Sequence, residues 1–255
     1  MTATTIGTKL DIRKITARIG AEVTGLRPDL DLDPDTVAGL RAALNEHKAL
    51  VFRGVDLDDA GQQRFAGYFG ELTTAHPTIP AVDQAPRVLA VDSEDGPVNH
   101  WHTDVTFVLN PPQASTLRSI VVPPYGGETL IANTGAAYRD LPGPLRDFAG
   151  TLRAVHTNDY DYAVPPETLT ESRDVLRLLQ YYVTRPENVL RVTWEPGQLV
   201  LFDNRITQHY AIGNYDDAPR RLHRVTVAGD IPVGLDGQPS LAITGDASRY
   251  TAVAS

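Results

Sequence analysis

Gln198-Leu199-Val200-Leu201-Phe202-Asp203-Asn204, with His209 five residues on, and Arg220-Arg221-Leu222-His223-Arg224-Val225-Thr226-Val227-Ala228 carry the plainest strand patterns of the chain. The first is a short apolar run bounded by polar residues, long enough for a buried strand and too short for a helix. The second, read as extended chain, puts Arg220, Leu222, Arg224 and Thr226 on one face and Arg221, His223, Val225 and Val227 on the other. Further upstream, short β segments separated by Pro/Gly turns begin at Val88, with Val88–Val91 and Ser115–Val122. Nearer the N-terminus, Leu10–Ile15 and Ala49–Gly54 read as strands. Asp33 caps a helix with Pro34 at its first position, running to Lys48, and Asp58 or Asp59 caps a second through Phe69. Gly135–Phe148 and Ser172–Thr184 carry helical patterns. Strands dominate the second half and helices decorate the outside. The expected fold is therefore mainly β with flanking α-helices, a barrel or sandwich core. No repeat, low-complexity tract or linker divides the chain, so residues 1–255 are expected to form one domain.

Composition narrows the chemistry. A net charge of -9 and a pI near 5.2 argue against nucleic acid as a partner, because phosphate binding wants a basic face. A small anionic organic molecule stays open, since a local arginine pocket can oppose a negative surface. There is no cysteine. Disulfides, iron–sulfur clusters, Cys-ligated zinc and thiol catalysis are thereby excluded, and metal binding falls to His and carboxylates. The N-terminus has no apolar signal region and no stretch nears 18 apolar residues. No membrane association is expected, and the expected location is the cytoplasm.

His102-Thr103-Asp104 lies mid-chain, and His209 follows Asp104 by 105 residues. Two imidazoles and one carboxylate on one face of an open metal are the ligand set of non-haem Fe(II) oxygenases. If residues 101–107 form a strand or strand end, His102 and Asp104 point to one side and can chelate one ion, with Trp101 and Phe107 as walls. The pair alone is weak. With 7 histidines and 32 acidic residues, roughly one His-x-[Asp/Glu] arises by chance. A hydrogen-bonded His and Asp at a strand end would explain it equally, and His100, of the same parity, competes as a ligand. His209 after a core strand could simply be a satisfied buried imidazole.

The arginines shift that balance. Arg220 and Arg224 would lie about 13 Å apart on one face, at about 3.3 Å per residue. One guanidinium could hold the far carboxylate of a dicarboxylate, and the other a second anion nearer the metal. The alternative is a solvated basic face opposed to Asp216 and Asp217. Other chemistries fare worse: no Gly-x-Ser-x-Gly elbow, Walker loop, dinucleotide fingerprint or His-Glu-x-x-His is present. His47 is expected on a helix surface, and His156, in a loop, receives no role.

Asn99-His100-Trp101-His102-Thr103-Asp104-Val105-Thr106-Phe107, Pro124-Tyr125-Gly126-Gly127-Glu128-Thr129, Asp203-Asn204-Arg205-Ile206-Thr207-Gln208-His209-Tyr210 and Arg220 to Thr226 form a further pattern. Together they resemble the taurine dioxygenase/alkylsulfatase family of Fe(II)/2-oxoglutarate-dependent dioxygenases, over nearly the whole chain. The resemblance implies a double-stranded β-helix (jelly roll) with flanking helices, and a homo-oligomer, dimer or tetramer. It implies His102, Asp104 and His209 as iron ligands, and Thr129 and Arg220 at the distal carboxylate of 2-oxoglutarate. Arg224 would reach both the co-substrate and the sulfo group of the substrate, with His76 and the backbone at Val105 at that sulfo group. The implied chemistry couples O2-driven decarboxylation of 2-oxoglutarate, to succinate and CO2, with hydroxylation next to a sulfate or sulfonate. The adduct then collapses to an aldehyde and sulfate or sulfite.

Within that family Val98, Asn214-Tyr215-Asp216-Asp217 and Gly234 to Gly245 lean toward the alkylsulfatase branch, Val98 because an apolar wall suits an alkyl chain better than an ammonium. One departure stands out: a stretch the family usually carries between Tyr162 and Asp174 is missing. Two other functions compete. One keeps the cofactors and makes the enzyme a hydroxylase or desaturase of a carboxylated metabolite; the other is a non-catalytic ligand-binding protein.

Overall fold

A computed structural model describes residues 10–26, 31–95, 99–158, 170–245 and 250. In chain order the elements are β1 (Asp11–Lys14), β2 (Ala21–Thr24), α1 (Pro34–His47), β3 (Ala49–Phe52), α2 (Asp59–Gly67), β4 (Leu89–Asp92), β5 (Ala114–Val121), β6 (Thr129–Asn133), α3 (Thr134–Arg139), α4 (Gly143–Gly150), α5 (Thr170–Val183), β7 (Val189–Val192), β8 (Leu199–Asp203), β9 (Thr207–Ala211) and β10 (Arg221–Val227).

The apolar run of β8 sits where such a run must, in mid-sheet between β3 and β5, with all of Leu199 to Phe202 buried. The large sheet has the order β1-β2-β3-β8-β5-β10-β4 and the small one β7-β6-β9. Neighbours are antiparallel except β2 and β3. Strand alternation splits the core in two. Leu50, Phe52, Leu199, Leu201, Val225 and Val227 join Leu40, Leu44 and Phe65 of α1 and α2. Val51, Leu117, Val200, Phe202 and Leu222 face Ile131, Leu190 and Val192 of the small sheet. Each such side chain contributes about 1.5–3 kcal/mol on leaving water. Two facing sheets with helices outside form the expected double-stranded β-helix framework.

Local signals mark the ends well. Asp33 accepts from the N–H groups of Asp35 and Thr36, Pro34 occupies the first helical position, and Asp58 accepts from Gly61 N–H. The expected Gly135–Phe148 helix is instead two, α3 and α4, parted at Asp140–Leu141–Pro142. Proline lacks the donor N–H and forces Leu141 out of helical geometry. Nor is His47 on the surface. It is 9% exposed at the end of α1, where its carbonyl accepts from Gly20 N–H at 2.8 Å. Residues 101–107 do not continue as a strand: His102 makes a single β-bridge to His209, and the chain turns from Asp104 to Phe107. The turn follows from Val105, which has a left-handed φ of 52°.

In β10 the expected alternation holds. The irregularity opposite it belongs to β5, where Ile120 is the extra residue between the partners of Arg221 and Leu222. Arg224 and Thr226 therefore share Leu222's face, toward the small sheet. Among the described residues no helix is long and apolar enough to cross a membrane.

Candidate metal centre

The centre is assembled from segments a hundred residues apart. His209 lies on β9, paired with Ile131 of β6. Across from it His102 exchanges two backbone hydrogen bonds with His209, at 3.0 and 2.8 Å, which sets the two imidazoles side by side with ring centroids 4.1 Å apart. Two residues on, the turn swings Asp104 against the inner face of β5 and β10. Ser115 Oγ donates to Asp104 Oδ2 at 2.9 Å, and the Arg224 guanidinium pairs with Oδ1. That same Oδ1 lies 3.9 Å from His102 Nε2 and 3.7 Å from His209 Nε2. His102, Asp104 and His209 each offer a ligand atom, all within 4.8 Å of one another. The imidazole of His100 is outside this group; its carbonyl instead accepts from His102 Nδ1 at 3.0 Å. That contact puts the His102 proton on Nδ1 and leaves the Nε2 lone pair facing Asp104.

Electrostatics suit a cation. Burial, reinforced by the neighbouring His102, pushes the His209 pKa down to about 3. Burial also pushes His102 down. For Asp104 burial opposes ionisation, but Arg224 and the two imidazoles outweigh it and hold the carboxyl well below the usual range. Near neutral pH the set is two neutral imidazoles and one carboxylate, already in the protonation state a metal requires. The nitrogens of His209 gain nothing from the protein: Nδ1 is buried without a hydrogen-bond partner and Nε2 stops at 3.7 Å from Asp104. Two neutral imidazoles and one carboxylate, each with a ligand atom brought to one point, fit Fe(II).

A second socket forms around Arg220, which is 4% exposed. Its Nε donates to Gly127 O at 2.8 Å and an NH2 group to Thr129 Oγ1 at 3.3 Å, while Trp194 Nε1 donates to the same hydroxyl at 3.0 Å. Burial pushes the Arg220 pKa down, yet a guanidinium stays charged. Among the described residues no carboxylate forms an ion pair with it. The Gly126-Gly127 turn makes room for this arginine: both have positive φ, and a Cβ at Gly127 would lie 2.9 Å from Arg220 Cδ. A buried cation beside two hydroxyl- and indole-bearing side chains fits an anionic group.

His76 lies on the segment after α2, which is tied to β10 through Thr73 N–H on Thr226 O at 3.1 Å. Its Nδ1 accepts from the N–H groups of Thr78 and Ile79, each at 3.2 Å, so in the neutral ring Nε2 carries the proton and is a donor. Val105 is buried beside Asp104. Arg224 has a buried Nε with no hydrogen-bond partner. Sequence reasoning assigned nothing to Ser115, Trp194 or Asn204. Only Asn204 lay in a quoted motif, and none of the three has a chemical signature apart from its contacts. Val98 and the stretch from Asp159 to Tyr162 lie outside the described residues.

The profile of the Taurine catabolism dioxygenase TauD, TfdA family matches residues 11–169 and 158–226. The chain is 41% identical to an alpha-ketoglutarate-dependent sulfate ester dioxygenase of Pseudomonas putida, over 91% of this chain and 94% of that protein. It is 39% identical to an alkylsulfatase of Acinetobacter baylyi, over 90% and 88% respectively. The crystal structure of a taurine dioxygenase from Burkholderia xenovorans superposes with a TM-score of 0.83, at 38% identity, covering 93% of this chain and 95% of that one. The shortening expected after Tyr162 has a counterpart here. The Pseudomonas alignment spans 283 positions, whereas 91% of 255 residues is about 232, and the two profile matches meet at residues 158–169. With a fold, a ligand set and an arginine socket of one kind, and with these matches over most of its length, the chain belongs to the TauD/TfdA dioxygenase family.

Proposed function

We propose that the protein is a one-domain Fe(II)- and 2-oxoglutarate-dependent dioxygenase that hydroxylates the carbon next to a sulfate ester or sulfonate. The observation that carries this reading is the buried His102–Asp104–His209 set lying in one fold with the buried Arg220–Thr129 socket. The names of the Pseudomonas and Acinetobacter relatives support a sulfate ester over a carboxylated metabolite.

His102, Asp104 and His209 would hold the iron, which when bound supplies the O2 and redox chemistry that side chains lack. Thr129 and Arg220 would grip the distal carboxylate of 2-oxoglutarate, a bidentate guanidinium contact inside a dry pocket. Arg224, with a hydrogen-bonding nitrogen to spare, would serve the near carboxylate and the substrate anion. His76 Nε2–H and the backbone at Val105 would complete the grip on that anion. In the overall reaction one oxygen atom of O2 enters succinate and the other converts the substrate C–H to C–OH, with loss of CO2. The hydroxyl proton then leaves, the carbon–oxygen bond to sulfate breaks, and an aldehyde and sulfate result. The protein's residues hold the reacting carbon in place and keep bulk water away.

A ferrous, 2-oxoglutarate-consuming site belongs in a reducing, metabolite-supplied compartment, and we place it in the cytoplasm. We also propose a homo-oligomer, a dimer or tetramer. Exposed Ile231, Val233, Leu235, Leu241 and Ile243, at 42–82%, support a covered surface in the assembled state. The test of the reaction is incubation with Fe(II), 2-oxoglutarate, O2 and a medium-chain alkyl sulfate. Equal yields of aldehyde, sulfate and succinate are expected. Succinate without sulfate release would move the substrate to the carboxylated class, and no succinate at all would leave only ligand binding.

A further inference from the structure

We propose that Asn204 is a positioning residue that joins the two ligand-bearing segments into one metal site. The inference rests on the metal-centre reading above and adds the residue that holds it together. Asn204 is 1% exposed and spends its whole side chain on the turn that carries Asp104. Its Oδ1 accepts from Asp104 N–H at 3.0 Å, and its Nδ2 donates to Asp104 O at 3.1 Å and to Pro112 O at 2.9 Å. Its own N–H donates to Gln113 O at 3.0 Å, so the segment from Asp104 to Gln113, which contains the turn, is held at both ends.

Three features make this more than ordinary core satisfaction. First, the turn needs holding: Val105, directly after the gripped peptide, is a β-branched residue at φ 52°, a strained conformation that persists only when neighbours impose it. Second, Asn204 stands five residues before His209 on the same chain. The two segments are joined at successive points, His102 with His209 through two backbone bonds, Thr103 Oγ1 on Thr207 O at 2.8 Å, then Asp104 with Asn204. Third, the carboxylate itself is fixed separately by Ser115 and Arg224, so Asn204 governs where the Asp104 backbone sits, not how its oxygens are solvated. Side chains that orient ligands commonly set metal affinity by about 10–100-fold.

The experiment titrates metal-free protein with Mn(II), reading free ion by its electron paramagnetic resonance signal, with thermal unfolding of each metal-free variant alongside. Asn204→Ala should bind Mn(II) about 10–100-fold more weakly while still unfolding cooperatively. Asn204→Asp is the second variant, because it keeps the size and one acceptor. Its added negative charge alone would strengthen cation binding, so weaker binding must come from the lost donors. Weaker binding by folded Asn204→Asp supports the assignment even if Asn204→Ala does not fold. Affinity in folded Asn204→Asp equal to or tighter than wild type overturns it. If wild-type protein binds no Mn(II), the metal-centre reading fails first and takes this inference with it.

Discussion

At the scale of single residues, Asp104 carries the most. It must stay ionised while fully buried, face two imidazoles through Oδ1, and start a turn that its successor resists. Arg224 and Ser115 satisfy the carboxylate before any metal arrives. We expect His102→Ala and Asp104→Ala to abolish 2-oxoglutarate-dependent succinate formation; near-normal turnover in either would remove that residue from the ligand set. Arg220→Ala should raise the 2-oxoglutarate KM by at least about tenfold, since one charge-assisted contact in a dry site is worth about 1.5–3 kcal/mol. His209 gives a pH prediction. In the unfolded chain its pKa returns to 6.5, against about 3 when folded. The unfolded state therefore binds the extra proton between these values, and metal-free protein should lose stability as pH falls from 6.5 toward 3. Melting temperature against pH is the measurement, and His209→Gln should reduce the slope. His102, Asp104 and His209 stood out in the sequence as candidate ligands, and the structure brings a ligand atom of each within 4.8 Å of the others. Asn204 and Ser115 were not, because an amide and a hydroxyl gain their roles only from partners 100 and 11 residues away.

At the scale of elements, β8 and the Gly126-Gly127 turn decide how well the site is supported. Leu201 is fully buried against α1 and α2, and Leu201→Ala should cost about 2–5 kcal/mol of stability in denaturant unfolding, with the metal centre itself untouched. Gly126→Ala should cost both stability and 2-oxoglutarate affinity: at φ 70° its Cβ would sit 2.2 Å from Asn214 O, and the turn it breaks frames Arg220. Unchanged melting and unchanged KM in that variant would contradict the account of the turn. The strands that read clearly from sequence, β3, β5, β8 and β10, are apolar runs or clean alternations. β6 and β9 did not, although they place Thr129 and His209. Thr207-Gln208-His209-Tyr210-Ala211 is mostly polar and is extended because β6 and the His102 bridge pair with it. Likewise, of the strand or strand end read over residues 101–107 only the end is present, the His102 bridge, because a left-handed valine, invisible to periodicity, turns the chain away.

At the scale of the whole molecule, an acidic protein of net charge -9 buries Arg220 and Arg224 in its interior. Anion binding at these buried arginines is therefore expected to depend only weakly on salt, unlike binding to an exposed basic face. The exposed apolar residues from Ile231 to Ile243 belong to the same scale: light scattering should give a mass of two or four chains, and a monomer would leave that surface to another partner. His102, Asp104, His209 and Arg220 are expected to hold Fe(II) and 2-oxoglutarate together in one site. Anaerobic absorption spectroscopy tests it most directly, by adding 2-oxoglutarate to the Fe(II)-loaded protein. A weak visible charge-transfer band should appear, and Arg220→Ala should need far more 2-oxoglutarate to produce it. Iron bound tightly with no such band at saturating 2-oxoglutarate would contradict the account.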